Sequence, residues 1–393
     1  MSKLNEQALP LEEAEVQAAV KQPKKKKKKK KKGGAFGRFL RRTLLLIFTV
    51  VLIAAGGLIM VLNTVFNGPS EAARDVLTMS LSEASATKWV PGVFLGDEKV
   101  AEIRNKSGAA LEQEYSDASQ VVINKDGALT SSDEWKNYPD GIRIEEYKGE
   151  TYNAHIMIIR DPSQVYMATS TDGAFSTNVP GTRIHNEIVD EGAIAAINAG
   201  AFNDDGSANS YVGSIPAGLL IVNGEVKSNK YANLVPEEGF AGFTFDNILV
   251  VAKSMTPEQA KELNIRDGCE FGPVLIMNGV VNQEAYNANS GYNPRTAIGQ
   301  RADGSVIFLC IDGRQASSLG GTYRDIIDIM VEYGAVNACN MDGGSSSVMM
   351  YLDSQGRYGE AGEYVMINSY SLLQSEPRRM PNFWMVRPNN EEG

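Results

Sequence analysis

The sequence has 393 residues and a net charge of −10, from 38 Lys and Arg against 48 Asp and Glu. Residues 1–43 hold 14 Lys and Arg and 4 Asp and Glu, so residues 44–393 carry −20. An acidic main body argues against nucleic acid as a partner. Three cysteines without a CxxC motif, and no HExxH motif, argue against a zinc site.

The first segment, residues 1–43, is a polar tail with an unbroken lysine run at 24–32. Neighbouring lysines repel one another, which predicts a solvated tail. Two roles fit the run: attraction to anionic lipid at the cytoplasmic face of a membrane, or only the orientation of the chain across that membrane. We favour orientation as the main role.

A transmembrane helix is predicted at 44–66. Residues 44–62 are almost wholly apolar, which is enough for about one bilayer crossing of roughly 20 residues. Arginines at 38, 41 and 42 place the tail in the cytoplasm and the C-terminal domain outside, by the positive-inside rule. A cleaved signal peptide is the alternative, but its leader would be unusually long and the nearest A-x-A, at 84–86, is too distant. We therefore predict a retained single-pass anchor in a cell membrane.

Residues 67–140 form a connecting region. Weak helix patterns occur at 71–81 and 97–103, and residues 105–133 are polar and rich in Ser, Ala, Asp and Gly. This composition fits either an extracytoplasmic stalk or a small subdomain, and too few Pro and Gly are present to decide between them.

The main body, residues 141–393, is rich in strand patterns. Asn-Gly turns at 223–224 and 278–279 each join two apolar runs, which is the strongest short signal for a β-hairpin. A third hairpin is predicted over 296–311, and a short helix over 256–263. The fold class predicted is α+β, with a mixed and mostly antiparallel sheet that contains one β-α-β unit.

That β-α-β unit combines a strand at 305–311, a helix at 322–333 and a strand at 335–341. Apolar residues of the helix recur at intervals of three and four. Thr322 and Asp325 match a capping box at its start, and Gly334 matches a C′ glycine at its end.

Polar residues follow both strands of the unit, in the sequences Asp312-Gly313-Arg314 and Asn340-Met341-Asp342. If the crossover is the usual right-handed parallel one, both strands end at the same edge of the sheet. Ligands bind at such edges in open sheets. The sequence therefore predicts a site there, although Asp-Gly pairs alone are common turn residues.

Two of the cysteines, Cys310 and Cys339, lie in the strands of the unit. A disulfide between them is conceivable if the strands are adjacent, but their apolar neighbours favour free buried thiols. An odd number of cysteines leaves at least one unpaired or bridging two chains. So little disulfide use in an extracytoplasmic chain indicates a bacterial surface protein.

The ordered motifs resemble the phosphodiester glycosidase family. They are GAIAAINAGAFNDDG at 192–206, FGPVLIMNGVV at 271–281, NPRTAIG from Asn293, DGR, SLGG and GAVNACNMDGGSSS. The resemblance covers roughly residues 152–386. The family includes the lysosomal enzyme that uncovers mannose 6-phosphate by removing N-acetylglucosamine from a phosphodiester, and its bacterial members are often described as exopolysaccharide-related. The resemblance implies a hydrolase that acts on sugar-1-phosphodiester bonds in cell-surface glycans.

Cleavage of such a bond needs cations more than a strong acid, because the departing phosphate is already a weak base. Arg295 and Arg314 are the candidates to bind the phosphate in bidentate fashion. Asp342 and Asp312 are the candidate catalytic carboxylates, and the motifs do not assign which acts as nucleophile and which as base. The remaining candidates for substrate binding are Asn198, Asn340, Gly343, Gly344, Ser345 and Ser346.

Alternatives stay open for these residues. The two aspartates could only cap turns, with Arg295 paired to one of them, and Gly343 and Gly344 could serve backbone geometry alone. No cofactor is predicted. Residues 203–207 resemble part of a calcium loop without its closing Glu, so calcium is retained only as an alternative.

A second function also fits the sequence: a non-catalytic glycan-binding or exopolysaccharide assembly protein on the same scaffold. The presence of both carboxylates and both arginines in motif positions favours the enzyme. One departure from the family pattern occurs at 198–202, which reads NAGAF where relatives often have NGGFF. This change bears on which sugar fits rather than on the reaction.

Overall fold

The computed structural model describes residues 35–82, 87–104, 111, 113–123, 135–176, 178–203, 212–370 and 376–389. The predicted lysine run and residues 204–207 of the predicted calcium-like turn lie outside them. The chain divides into two compact units, residues 1–60 and residues 61–393.

The first described segment begins with one long helix, α1 (Ala35–Phe66). Its stretch Phe39–Phe66 has 28 residues and is apolar enough to cross a membrane, for which about 20 residues suffice. Thr43 and Thr49 donate their hydroxyl hydrogen bonds to carbonyls one turn earlier, at 3.1 and 2.9 Å, so these polar groups are satisfied within the helix. The predicted apolar helix is thus confirmed, and its orientation stays a prediction.

Three short helices follow at the start of the second unit. They are α2 (Glu71–Ser82), α3 (Val90–Leu95) and α4 (Asp97–Arg104). The patterns at 71–81 and 97–103 are confirmed as helical, whereas α3 has no signal in the sequence because six residues are too few to show a helical period.

The described part of the body contains four further helices and nineteen strands. The helices are α5 (Ile184–Asp190), α6 (Pro257–Glu262), α7 (Gln283–Asn287) and α8 (Tyr323–Glu332). The first strands are β1 (Ile142–Lys148), β2 (Asn153–Ile159), β3 (Val165–Thr169), β4 (Ala195–Asn198), β5 (Phe202–Asn203), β6 (Ile215–Pro216), β7 (Gly218–Val222), β8 (Glu225–Lys230) and β9 (Phe240–Thr244). The others are β10 (Leu249–Ala252), β11 (Ile265–Glu270), β12 (Val274–Met277), β13 (Val280–Val281), β14 (Arg295–Arg301), β15 (Val306–Ile311), β16 (Ala335–Met341), β17 (Met349–Asp353), β18 (Glu363–Met366) and β19 (Asn382–Val386).

Three sheets make up most of the body. A seven-stranded sheet has the order β1-β2-β15-β14-β16-β12-β13, and two five-stranded sheets have the orders β10-β9-β11-β7-β8 and β18-β17-β4-β19-β3. Strands β5 and β6 form a separate pair. Neighbouring strands pair antiparallel, and the three predicted hairpins are confirmed as β7–β8, β12–β13 and β14–β15.

The core lies where the three sheets meet. One buried cluster combines Phe308 of the large sheet, Phe243 of the second sheet and Trp384 of the third. The rings of Phe243 and Trp384 meet edge to face at 5.6 Å. The other face of each sheet is covered by a helix, α8 on the large sheet, α6 on the second and α5 on the third. This arrangement of helices outside largely antiparallel sheets confirms the α+β class.

The predicted β-α-β unit is present as β15, α8 and β16. Both capping-box bonds join Thr322 and Asp325, and Gly334 has φ +80° as a C′ residue requires. Strands β15 and β16 are parallel to each other, but β14 lies between them and pairs antiparallel with both. Both strands therefore end at one edge, as predicted, with the start of β14 between them.

The position of β14 also decides the cysteine question. Cys310 in β15 and Cys339 in β16 are separated by a strand, and neither these nor Cys269 forms a disulfide. All three thiols are buried. The alternative of a disulfide between Cys310 and Cys339 is therefore wrong, and the preferred prediction of free buried thiols is confirmed. Burial raises the pKa of each thiol.

We expect the fold to lose stability as pH rises through about 7, because of Glu187 in α5. Its side chain is 8% exposed, and burial together with the charges of Glu191 and Asp190 raises the pKa of its carboxyl to about 7. The folded state therefore binds this proton more tightly than the unfolded chain does. The resulting contribution to the free energy of unfolding is complete only below the ordinary pKa of 4.5 and is lost as the pH rises through about 7. At pH 8, Glu187→Gln should raise the free energy of unfolding by on the order of 2 kcal/mol, and the gain should shrink at pH 5.

Thermal unfolding of the full chain at both pH values measures this. Glu262→Gln, at an exposed position of α6, serves as the control and should change neither melting temperature appreciably. An equal effect of Glu187→Gln at pH 5 and pH 8 would contradict the assignment.

Candidate active site

Two Asp-Gly turns lie on either side of Pro294. A Cβ atom added to Gly313 would lie 2.6 Å from the Pro294 nitrogen, and one added to Gly343 would lie 2.8 Å from its carbonyl oxygen. The Gly344 amide also donates to the Pro294 carbonyl at 2.8 Å. Because one strand separates them, the turns are two strand spacings apart, about 10 Å. We call residues 293–295, 312–314 and 342–344 together the Asp-Gly edge.

Asp342 is a half-buried residue whose backbone is fixed on both sides. Its amide donates to the Ala199 carbonyl at 3.0 Å, and its carbonyl accepts from Asn198 Nδ2 at 2.5 Å. Asn198 is fully buried, and its Oδ1 accepts from Thr296 Oγ1 at 2.8 Å and from the Val348 amide at 3.1 Å. The Asn198 amide group therefore positions the Asp342 turn, and the sugar contact predicted for it has no support from these bonds.

Asp312 is more deeply placed, with 3% of its surface exposed. Its Oδ1 accepts from the Ser369 amide at 2.9 Å, and its Oδ2 lies 3.3 Å from His155 Nε2. Its carbonyl accepts from Ser318 Oγ at 2.8 Å. The carboxylate thus ties the segment after β18 to the end of β15, and its catalytic role stays a prediction.

Tyr370 follows in that segment and crosses to the second turn. Its hydroxyl donates to the Ser345 carbonyl and accepts from the Arg378 amide, the latter at 3.3 Å. Burial raises the pKa of Tyr370, Arg378 and Arg314 act to lower it, and Asp342 acts to raise it. The Tyr370 hydroxyl at Ser345 and the Arg314 guanidinium beside Gly344 therefore both contact the turn that begins at Asp342. Neither Tyr370 nor Arg378 has a local signal in the sequence, since both approach the edge from the end of the chain.

Arg314 is exposed and lies over the second turn. Its Nη2 donates to Asn293 Oδ1 at 3.2 Å, and a Cβ added to Gly344 would lie 3.2 Å from that nitrogen. Its backbone has φ +57°, a left-handed conformation that is rare and strained for a residue with a side chain. An exposed guanidinium at this turn is what the predicted phosphate binding requires.

Arg295 is placed differently from Arg314. It is 3% exposed, and it donates to the carbonyls of Gly321, Ser290 and Gly291 at 3.1, 2.6 and 3.2 Å. Its guanidinium stacks 4.5 Å from the centre of the Tyr323 ring. These contacts lie on the α8 side of the sheet and join the loop before β14 to the start of α8. A direct phosphate contact of Arg295 stays a prediction.

Two further predicted residues are buried at the edge. Asn340 is 1% exposed, and its Nδ2 donates to the Gly272 carbonyl at 2.7 Å. Within the described residues, Asn340 Oδ1 and Ser346 Oγ have no hydrogen-bond partner. Buried polar atoms are nearly always paired in native proteins, so these two atoms are exceptions among the residues that the structure describes.

A cavity of about 450 Å³ opens beside Tyr323, on the α8 side of the large sheet. Glu237, whose Oε1 accepts from the Tyr323 hydroxyl at 2.8 Å, and Ser290 contribute to its wall. It borders the contacts of Arg295 rather than the two Asp-Gly turns. Among the residues that the structure describes, no group of three or more His, Cys, Asp or Glu could hold a metal, and the calcium alternative falls outside them.

The strain at Arg314 yields a stability prediction. Arg314→Ala and Arg314→Gly both remove the guanidinium, but only glycine is relaxed at φ +57°. The glycine variant should therefore unfold with a free energy about 1 kcal/mol higher than the alanine variant. Chemical denaturation of the two variants measures the difference. Equal stability would show that residue 314 is not held in the left-handed region.

Comparison with known proteins gives matches in sequence and in fold. A 55-residue segment is 44% identical to the SPbeta prophage-derived uncharacterized protein YomE of Bacillus subtilis (strain 168), covering 14% of this chain and 8% of that relative. The chain therefore spans only a small part of this curated relative.

Among solved structures, the catalytic domain of zebrafish N-acetylglucosamine-1-phosphodiester alpha-N-acetylglucosaminidase, auto-inhibited by its pro-peptide, matches with a TM-score of 0.49 and 18% identity. The match covers 64% of this chain and 85% of that one. A hypothetical protein from Synechocystis matches with a TM-score of 0.43 and 15% identity, over 64% and 63% of the two chains.

The phosphodiester glycosidase family model matches residues 191–387, half of the chain. That range contains both Asp-Gly turns and Pro294, together with Tyr370 and Arg378. The resemblance read from the motifs is confirmed, and this chain belongs to the phosphodiester glycosidase family.

Proposed function

We propose that this chain is a membrane-anchored extracytoplasmic glycosidase that hydrolyses sugar-1-phosphodiester bonds in cell-surface glycans. The family membership supports a glycosidase-type activity, and α1 supports anchoring by one span. The observation that carries the proposal is that Arg314 and Tyr370 both contact the turn of Asp342, through Gly344 and Ser345.

Arg314 is proposed to bind the substrate phosphate. Because the departing group is a phosphate anion, a cation that stabilises it does more for the reaction than a general acid. The guanidinium is exposed, it lies against Gly344, and its planar fork of donors matches the phosphate oxygens. Arg295 is proposed to act indirectly, by holding in place the loop that carries Asn293.

Asp342 is proposed as the carboxylate that acts at the anomeric carbon, as nucleophile or as the base for water. It is the less buried of the two aspartates, and its turn is fixed by Asn198. Asp312 is proposed as a positioning residue that fixes the segment of Ser369 and Tyr370. Asn340 and Ser346 are proposed to complete their unpaired hydrogen bonds with the sugar.

We expect Asp342→Asn to abolish the release of free sugar from sugar-1-phosphodiesters, since the amide can neither attack nor accept a proton. Full-length protein in detergent or nanodiscs would be assayed against a small panel of such substrates, with circular dichroism as the check on folding. Full turnover by the folded variant would remove Asp342 from the mechanism. Tight glycan binding by the wild type without any turnover would favour the alternative, a non-catalytic glycan-binding or assembly protein.

Substitutions of Asp312 should separate positioning from direct chemistry. Asparagine keeps an oxygen that accepts from the Ser369 amide, whereas alanine loses it. If Asp312 only holds this segment, Asp312→Ala should lower kcat/KM by roughly 10- to 100-fold and Asp312→Asn by much less. Complete loss of activity in both variants would instead make Asp312 a reacting group.

A further inference from the structure

The end of the membrane-spanning helix packs on the short helices that follow it. Phe66, the last residue of α1, is 1% exposed, and its ring stacks on that of Phe94 in α3 at 5.0 Å. Both residues belong to the second compact unit. Helix α3 therefore lies beside the C-terminal end of α1.

The same group of helices reaches the Asp-Gly edge. Ser80, near the end of α2, accepts at its Oγ from the Tyr292 amide at 2.9 Å. A Cβ added to Gly291 would lie 2.5 Å from the Ser80 amide nitrogen, so the two backbones are in close contact. Tyr292 directly precedes Asn293, which accepts from Arg314.

The length of this connection limits how far the edge can lie from the membrane. Four residues lie between Phe66 and Glu71, the start of α2, and the five steps from one to the other span at most about 17 Å. From Glu71 to Ser80 the helix rises by about 14 Å. The contact between Ser80 and Tyr292 therefore lies no more than roughly 30 Å from Phe66.

Helix α3 also exposes apolar side chains beside this junction. Trp89, which precedes the helix, is 65% exposed, and Val93 within it is 68% exposed. Tryptophan is enriched where a membrane meets water, because its ring is apolar and its N–H needs a polar partner. Helix α3 lies beside the end of the span, and Trp89 and Val93 are exposed there. Both observations fit a helix that lies on the lipid surface.

We infer that α3 docks on the outer surface of the bilayer and keeps the Asp-Gly edge within about 30 Å of that surface. The substrate class is then a sugar-1-phosphodiester whose aglycone is anchored in the membrane, rather than a soluble glycan. This inference rests on the proposed function. Enzyme and substrate confined to one surface meet at a high effective concentration, provided that the site can reach the bound phosphate.

The docking can be tested without any enzyme assay. Full-length protein in liposomes would be titrated with brominated lipids, which quench tryptophan fluorescence on contact. The chain has three tryptophans, and Trp135 and Trp384 are buried at 7% and 0% exposure. Quenching should affect only the Trp89 fraction and should disappear in Trp89→Phe. Absence of quenching in the wild type, or quenching that persists in Trp89→Phe, would overturn the docking.

The substrate class requires a matched pair of substrates. One sugar-1-phosphodiester would carry a long alkyl chain inserted into the liposomes, and the other would carry a short soluble alcohol. The double variant Trp89→Ser and Val93→Ser should lower turnover of the inserted substrate about tenfold and leave the soluble one unchanged. Val280→Ser, which alters a side chain that is 61% exposed on β13, is the control and should change neither rate.

The outcomes separate this inference from the proposed function. Cleavage of the soluble substrate alone, or equal losses on both substrates in the double variant, would overturn the membrane-anchored substrate class and leave the glycosidase in place. Cleavage of neither substrate by the wild type would overturn both.

Discussion

The close packing of Pro294 between two glycine turns is the constraint on which the candidate site depends. Strand β14 pairs with both β15 and β16, so its first residues enter the space between the ends of the two strands. That space admits Pro294 only because Gly313 and Gly343 have no side chain. The glycines of the two motifs thus allow three backbone segments to pack closely together. This packing fixes the positions of the polar side chains at the Asp-Gly edge.

Features that depend on neighbouring residues could be predicted from the sequence. The Asn-Gly hairpins, the capping box at Thr322 and the C′ glycine at Gly334 all follow from short-range chemistry, and the structure has each of them. The shared edge of Asp312 and Asp342 also followed, because the two strands of a β-α-β crossover run parallel and end on the same side. The intervening β14 did not follow, since strand order is set by long-range pairing that no local pattern encodes.

The site residues also divide into those that neighbouring sequence predicts and those that depend on long-range contacts. Arg314 and Asp342 occupy turns, where the sequence indicates exposure, and the structure leaves both accessible enough to meet a ligand. Arg295 has the same residue type but begins a central strand, and its guanidinium is occupied by carbonyl groups on the α8 side. His155 reaches Asp312 only because β2 pairs with β15, and Tyr370 only because the chain returns after β18. Contacts of this kind require the tertiary fold.

One consequence concerns the turn at the opposite end of the β14–β15 hairpin. There Asp303 Oδ1 accepts from the amide and hydroxyl of Ser305, and Gly304 has φ +94°. The length of this turn fixes which residue of β15 faces which residue of β14. A slip of one residue would rotate the carboxylate of Asp312 to the other side of the sheet, away from His155. An insertion in a loop about 20 Å from the edge would therefore act like a substitution within it.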